Sequence, residues 1–194
     1  MIKFYNTITR RKEEFISLKD DAVKLYTCGP TVYDYAHIGN FRAYIFEDLL
    51  RRFLEYKSYK VNHVMNITDI DDKTIKNSIE KNQKLTEFTA YYTSSFFKDV
   101  ESLNILPAHN YPRATEFVSQ MIDMIKELEL KGFTYSTDDG SVFFKISQFK
   151  NYGDLSNLKP DNLKKGDRVL NDEYEKEEMR DFALWKGYKE ADGD

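Results

Sequence analysis

The sequence predicts an α/β fold organised around a parallel strand pair, and three observations carry that expectation. Val23, Leu25 and Tyr26 lie in a β-prone run that ends at Cys28, where Gly29 and Pro30 break it. After a short loop, Phe41, Ile45, Leu49 and Phe53 recur at helical spacing. Val61, Val64, Met65 and Ile67 then mark a second β-prone run. A strand–helix–strand order with so long a crossover gives parallel strands in a right-handed unit. That is the first half of a Rossmann-like, parallel-sheet nucleotide-binding domain.

The elements follow in order. Residues 1–22 read as a short strand and a polar connection, with Phe4, Tyr5 and Ile8 as a weak pattern. Residues 23–28 form a strand. Residues 40–57 form a helix capped by Asn40, with Arg, Glu and Lys on its outer face. Thr68 or Asp69 caps a further helix running to about residue 82, after the second strand. Another helix starts at Thr86 and sets Phe88, Tyr92, Phe96, Val100 and Leu103 on one face. Pro107 and Pro112 punctuate a loop. A third helix spans Ala114 to Lys131, with Phe117, Met121, Ile125 and Leu128 on one face and Gly132 as its stop. Phe133–Tyr135 and Val142–Ile146 flank Asp138-Asp139-Gly140 and read as a hairpin. Residues 147–180 are polar and irregular, with an acidic run at Glu173 to Glu178, and Phe182–Trp185 is a final short strand. From about residue 114 onward the pattern is therefore a small α+β module.

Composition narrows the class. The 194 residues are 41% hydrophobic and 15% aromatic, enough for a real core and too apolar for a disordered chain. No run approaches the length needed to span a bilayer, and the Met-Ile-Lys-Phe-Tyr-Asn start lacks an apolar signal core. The single cysteine excludes an internal disulfide and suits a reducing cytoplasm. A net charge of −4 does not advertise nucleic acid, although a local patch can serve a tRNA partner. Arg10-Arg11-Lys12, Arg51-Arg52 and Lys164-Lys165 each read as solvated faces.

The chemistry concentrates around the first crossover. His37, Ile38 and Gly39 stand just before a helix N-terminus at the end of a strand. There, free N–H groups and the helix dipole favour phosphate. On spacing alone His37 is a loop histidine that caps or packs, and Cys28 is a small buried hydrophobe. Gly29 permits close approach of the backbone to a ligand. Thr31 and Thr68 carry hydroxyls at the ends of adjacent parallel strands, which face the ligand crevice of such sheets. Asp69, Asp71 and Asp72 fit a helix first turn better than a Mg²⁺ site. His63, His109 and Trp185 read as structural.

The run Cys28-Gly29-Pro30-Thr31-Val32-Tyr33-Asp34, then His37-Ile38-Gly39-Asn40, then Asn66-Ile67-Thr68-Asp69-Ile70-Asp71-Asp72-Lys73 resembles the cysteinyl-tRNA synthetases of class I. Leu103-Asn104-Ile105-Leu106-Pro107, Pro112-Arg113-Ala114-Thr115 and Asp181-Phe182-Ala183-Leu184-Trp185-Lys186 agree, so the resemblance covers nearly the whole chain. It implies that His37, Ile38, Gly39 and Asn40 bind ATP, with His37 and Asn40 catalytic. Asn40 stands where the "HIGH" signature has its second histidine, and its side-chain amide still offers a donor. Cys28, Gly29, Thr31 and Thr68 would bind the amino acid, although Thr68 is equally a helix cap by its position. Cys28 would be one of four zinc ligands, the others expected beyond residue 194. Zinc favours a thiolate over serine's hydroxyl. No role is assigned to Tyr33 or Asp34.

The resemblance further implies Mg-ATP, L-cysteine and tRNA(Cys) as substrates and partners, and a cytoplasmic monomer without membrane attachment. It divides the chain into residues 1–113, the N-terminal half of the catalytic domain, and residues 114–194, a connective-peptide insertion. The second half, with its Lys-Met-Ser-Lys-Ser loop, has no counterpart, so a fragment is expected. Two alternatives stand beside this one: a ligase joining cysteine to a sugar amine, and a non-catalytic nucleotide-binding remnant. A small nucleotidyltransferase with a similar His-x-Gly-His loop would not need the Asn66–Lys73 stretch.

Overall fold

The computed structural model describes residues 1–155 and 181–192. The chain divides into two compact units, one from Ser17–Val118 with the C-terminal tail and one from Met1–Ile16 with Ser119–Glu190. The predicted acidic run at Glu173 to Glu178 and the Lys164-Lys165 pair lie outside the described residues.

At the N-terminus two strands, not one, form an antiparallel pair: β1 (Lys3–Asn6) and β2 (Arg11–Glu14), in register from Lys3↔Glu14 to Asn6↔Arg11. The second strand reads Arg-Lys-Glu-Glu, so it has no apolar alternation to betray it. It is held instead by the ladder, by Asn6 Nδ2 donating to Glu13 at 2.8 Å, and by the edge-on rings of Phe4 and Phe15.

Then comes the predicted crossover. Strand β3 (Ala22–Thr27), helix α1 (Ile38–Tyr56) and strand β4 (Lys60–Met65) follow in that order. The two strands are parallel, paired from Ala22↔Lys60 to Thr27↔Met65. Strand β3 ends one residue before Cys28. The segment predicted as a loop around Pro107 and Pro112 runs beside β4 as an irregular neighbour. Met65 N–H donates to Asn110 O and Ile67 N–H to Pro112 O, with parallel bridges at Val64↔Asn110 and Ile67↔Arg113. Proline has no N–H to offer a ladder, so this edge cannot become a regular strand.

Helix α2 (Asp72–Glu80) starts later than expected. Its cap is Asp71, whose carboxylate accepts from Lys73 and Thr74 N–H, so neither Thr68 nor Asp69 caps it. Helix α3 (Leu85–Ser102) places Phe88, Tyr92, Phe96 and Val100 in the core, while Leu103 stays exposed. Together with Val32, Phe41, Tyr44, Met65, Ile67 and Ile105 they form the apolar centre of this unit.

Helix α1 departs from its predicted face. Phe41 is buried, but Ile45, Leu49 and Phe53 are exposed, and the buried set is Phe41, Tyr44, Arg51 and Leu54. Arg51 and Arg52 are not a solvated pair either. Arg51 bonds Glu55 at 2.8 Å and Pro107 O at 2.6 Å, and Arg52 bonds Asp48 and Asn104 O, both at 2.7 Å. They tie α1 to the segment after α3.

A short 3-10 turn (Ala114–Phe117) at the end of this unit leads into α4 (Val118–Leu130), which from Ser119 onward belongs to the other unit and ends before Gly132 at φ +74°. Phe117 and Met121, expected with Ile125 and Leu128 on one helix face, are exposed. The predicted hairpin is β5 (Thr134–Ser136) and β6 (Val142–Phe144), and β7 (Phe182–Trp185) joins β6 antiparallel. Phe143 is fully buried, and Phe133, Phe144, Phe149 and Phe182 pack their rings together. Buried Asp181 anchors the next turn by accepting from Ile146 N–H at 2.9 Å. Among the described residues no helix is long and apolar enough to cross a membrane.

Candidate active site

The sequence places most of its candidate site residues where β3 and β4 end, and the structure puts them there together. The chain leaves β3 at Thr27, passes exposed Cys28, and runs on in the same direction so that Thr31 makes a parallel bridge to Thr68 beyond the end of β4. Thr68 N–H donates to Pro30 O at 3.0 Å and Val32 N–H to Thr68 O at 3.1 Å. This pairing, not a helix cap, is what Thr68 does for the fold. Cys28 is solvent-accessible, so its reading as a small buried hydrophobe is set aside.

Gly29 has a physical requirement. A Cβ at this position would lie 1.8 Å from Asn66 O, far inside van der Waals contact. Its N–H donates to Asn66 Oδ1 at 3.1 Å, and the same oxygen accepts from Tyr26 Oη at 3.0 Å. Asn66 Nδ2 donates in turn to Thr68 Oγ1 at 3.1 Å. Asn66 and Tyr26 were not singled out from the sequence. The available signal was spacing: Asn66 and Thr68 stand two apart in an extended segment and so share a face.

The second cluster is the start of α1, the helix that follows β3. The cap is His37, not Asn40. His37 Nδ1 accepts from Gly39 N–H at 3.0 Å, and Asn40 Oδ1 accepts from His37 N–H at 3.0 Å. The two side chains form a reciprocal capping box. Because Nδ1 is an acceptor here, the proton of neutral His37 sits on Nε2. His37 Nε2–H and Asn40 Nδ2–H₂ remain as outward donors at an exposed helix N-terminus. Gly39 is needed for this arrangement, since a Cβ there would meet the His37 ring at 2.8 Å. Ile38 is almost fully exposed, so its backbone, rather than its side chain packing, serves the turn.

Behind Cys28 lies a buried polar chain that the sequence did not announce. His63 Nε2 meets Thr27 Oγ1 at 2.9 Å, and Glu47 on α1 lies close enough to Thr27 for the hydroxyl to act on its carboxyl. His63 Nδ1 and one Glu47 oxygen, Oε2, are buried without a partner among the described residues. An unpaired lone pair costs less than an unpaired N–H, which favours the His63 tautomer that carries its proton on Nε2 and donates to Thr27. Burial holds the His63 pKa below its usual value, helped by Arg51 and His109. Burial pushes the Glu47 carboxyl up, opposed by the Thr27 hydroxyl. Burial, reinforced by Glu47 and Cys28, pushes the Tyr44 phenol up to about 12. His109 is structural as expected: its Nδ1 accepts from His63 N–H at 3.0 Å.

The acidic cluster is structural throughout. Asp71 caps α2 and Asp72 lies in its first turn. Buried Asp69 accepts from Thr115 N–H at 3.0 Å and Thr115 Oγ1 at 2.7 Å, with Arg113 3.7 Å away. Among the described residues no three His, Cys, Asp or Glu side chains gather as a metal centre. Cys28 is therefore a single candidate ligand, and a tetrahedral zinc site does not fit the described residues by themselves.

Known proteins are similar to this chain over nearly its whole length. Residues 14–194 match the family model of the class I (C) tRNA synthetase catalytic domain. A cysteine–tRNA ligase of Chlamydia caviae is 56% identical over 186 residues, covering 96% of this chain and 39% of the relative. One from Brachyspira hyodysenteriae is 54% identical over 195 residues, covering 100% of this chain and 41% of the relative. One from Chlamydia abortus is 55% identical over 190 residues, covering 97% and 40%. The chain thus spans about two fifths of the length of the curated relatives it matches. With its parallel Thr31–Thr68 bridge beyond the strand ends, its histidine-capped crossover helix and this match over residues 14–194, the chain belongs to the class I (C) tRNA synthetase catalytic-domain family.

Proposed function

We propose that this chain carries the ATP and amino-acid sites of a cysteine–tRNA ligase, on the first half of a Rossmann-like catalytic domain at residues 1–113. Residues 114–194 belong, in this reading, to the connective-peptide insertion. The observation that carries the reading is the reciprocal His37–Asn40 cap, which satisfies one nitrogen or oxygen of each side chain and leaves a donor on each facing outward.

In the reaction the carboxylate of L-cysteine attacks the α-phosphate of Mg-ATP. A carboxylate oxygen–phosphorus bond forms, the bond to the bridging oxygen breaks, and pyrophosphate leaves. The adenosine hydroxyl at the end of tRNA(Cys) then attacks the acyl carbon, and AMP departs. No protein nucleophile takes part, so positioning and electrostatics carry the catalysis. His37 Nε2–H and Asn40 Nδ2–H₂ donate to the phosphate oxygens and stabilise charge that builds on them. The backbone at Ile38 and Gly39 lines this cradle. Gly29, Thr31 and Thr68 place the amino acid, and Cys28 offers a thiol where the substrate side chain would enter. Cys28 would be the one ligand this chain's described residues offer to a zinc ion, which when bound would favour a substrate thiolate. The single cysteine of this chain suits a reducing compartment such as the cytoplasm.

The test is cysteine-dependent exchange of pyrophosphate into ATP, on this chain and on one of the relatives' full length. Exchange by the longer chain, lost on His37→Ala, supports the reading. Absence of exchange from both, with zinc supplied, sinks it and favours a nucleotide-binding role without catalysis.

A further inference from the structure

Asn66 links three parts of the strand-end region through one side chain. Its Oδ1 accepts from Gly29 N–H and Tyr26 Oη, and its Nδ2 donates to Thr68 Oγ1. The amide cannot be flipped. Gly29 N–H is a donor only, so the atom that faces it must be the carbonyl oxygen, and the nitrogen must face Thr68. Thr68 Oγ1 is thereby committed as an acceptor on its protein side. Its own hydrogen has no acceptor among the described residues, and the residue is half-buried at the open end of β4.

We infer that Asn66 is a positioning residue that fixes the Thr68 hydroxyl as a hydrogen-bond donor toward the carboxylate of the bound amino acid. This rests on the proposed cysteine–tRNA ligase reading. A zwitterionic amino acid offers one strong acceptor, its carboxylate, and one donor, its ammonium. A hydroxyl that already accepts from an amide and has no protein acceptor for its own hydrogen can donate that hydrogen to the carboxylate, the one strong acceptor of the two ends. That is also the end that must be aimed at the α-phosphate, so the orientation of one hydroxyl bears on which end of the substrate approaches ATP.

The experiment is a double-mutant cycle in the full-length protein, read as KM for cysteine, KM for ATP and kcat in pyrophosphate exchange. Asn66→Asp keeps the acceptor for Gly29 and Tyr26 and replaces the donor with an oxygen. The Thr68 hydroxyl then turns to donate inward. Asn66→Asp is expected to raise the KM for cysteine roughly tenfold, the loss of about one hydrogen bond, with the KM for ATP unchanged. On a Thr68→Val background the same substitution should change nothing further. Thr68→Ser, which keeps the hydroxyl, should keep the parent KM. If Asn66→Asp does not fold, Asn66→Ser takes its place in the cycle. Equal losses from Asn66→Asp with and without Thr68, or a parallel rise in both KM values, overturn the inference alone. No exchange in the unsubstituted protein overturns the ligase reading, and this inference with it.

Discussion

Helices α1 and α3 carry the same sequence pattern and meet different fates. Each has four apolar residues at strict i, i+4 spacing: Phe41, Ile45, Leu49 and Phe53 in one, Phe88, Tyr92, Phe96 and Val100 in the other. In α3 all four are between 1% and 6% exposed. In α1 only Phe41 is buried, while Ile45, Leu49 and Phe53 are 47%, 63% and 41% exposed. With 3.6 residues per turn, a step of four overshoots by about 40°, so such a stripe sweeps about 120° around its helix. It is buried only if neighbours cover that whole arc. Around α3 they do. Lys81 lies over the Phe88 and Tyr92 rings, and Phe41 and Tyr44 meet Phe96. Around α1, cover comes on one side, from α3 at Phe41 and Tyr44 and from the Asn104–Pro107 segment at Arg51 and Arg52. Among the described residues, β3 and β4 form a sheet of two strands, too narrow to receive the rest of the helix.

Substitutions along the two stripes can break that contrast. Phe96→Ala should have the largest effect, about 3–5 kcal/mol of lost stability in urea unfolding of this chain, because it empties a site walled by Phe41, Tyr44 and Phe97. A loss below about 1 kcal/mol would mean that α3 is not the covered helix. Arg51→Leu comes next, at about 1–3 kcal/mol, since it removes a charged donor from Pro107 O and its partner Glu55 inside a largely buried site. Were Arg51 a solvated residue, as its place in an Arg-Arg pair suggests, the same change would be nearly silent. Leu49→Ala should be the smallest, about 0.5 kcal/mol or less, despite removing a leucine from the predicted face. A loss comparable to that of Phe96→Ala would show that the stripe on α1 is covered in solution.

Much of the fold was legible because its elements obey local rules. The β3–α1–β4 crossover, α3, the Asp138–Gly140 hairpin and the strand at Phe182–Trp185 each announced themselves by period or by turn residues. Strand β2 did not, since Arg-Lys-Glu-Glu has no hydrophobic period and pairs only because β1 lies beside it. Cap assignment was harder. Asn40 and Thr68 are good cap residues by type, but His37 and Asp71 hold the ends. His37 can do so because Gly39 leaves room for its ring, a matter of space that a propensity scale does not contain.

The candidate site divides in the same way. The order of Cys28, Gly29, Thr31, His37, Asn40 and Thr68 along two strand ends and a helix start was fixed by chain connectivity, because a parallel crossover must bring the strand ends to one edge. The sequence by itself therefore determined which segments meet. It could not determine how polar atoms pair once they meet. That Asn66 holds Gly29 and Thr68, that Thr27 meets His63, and that Arg51 reaches Pro107 O depend on contacts between residues 2 to 56 positions apart. Hydrogen bonds of this kind depend on distances of a few tenths of an ångström and on direction. Those quantities exist only after the chain has packed, and tertiary structure decided them.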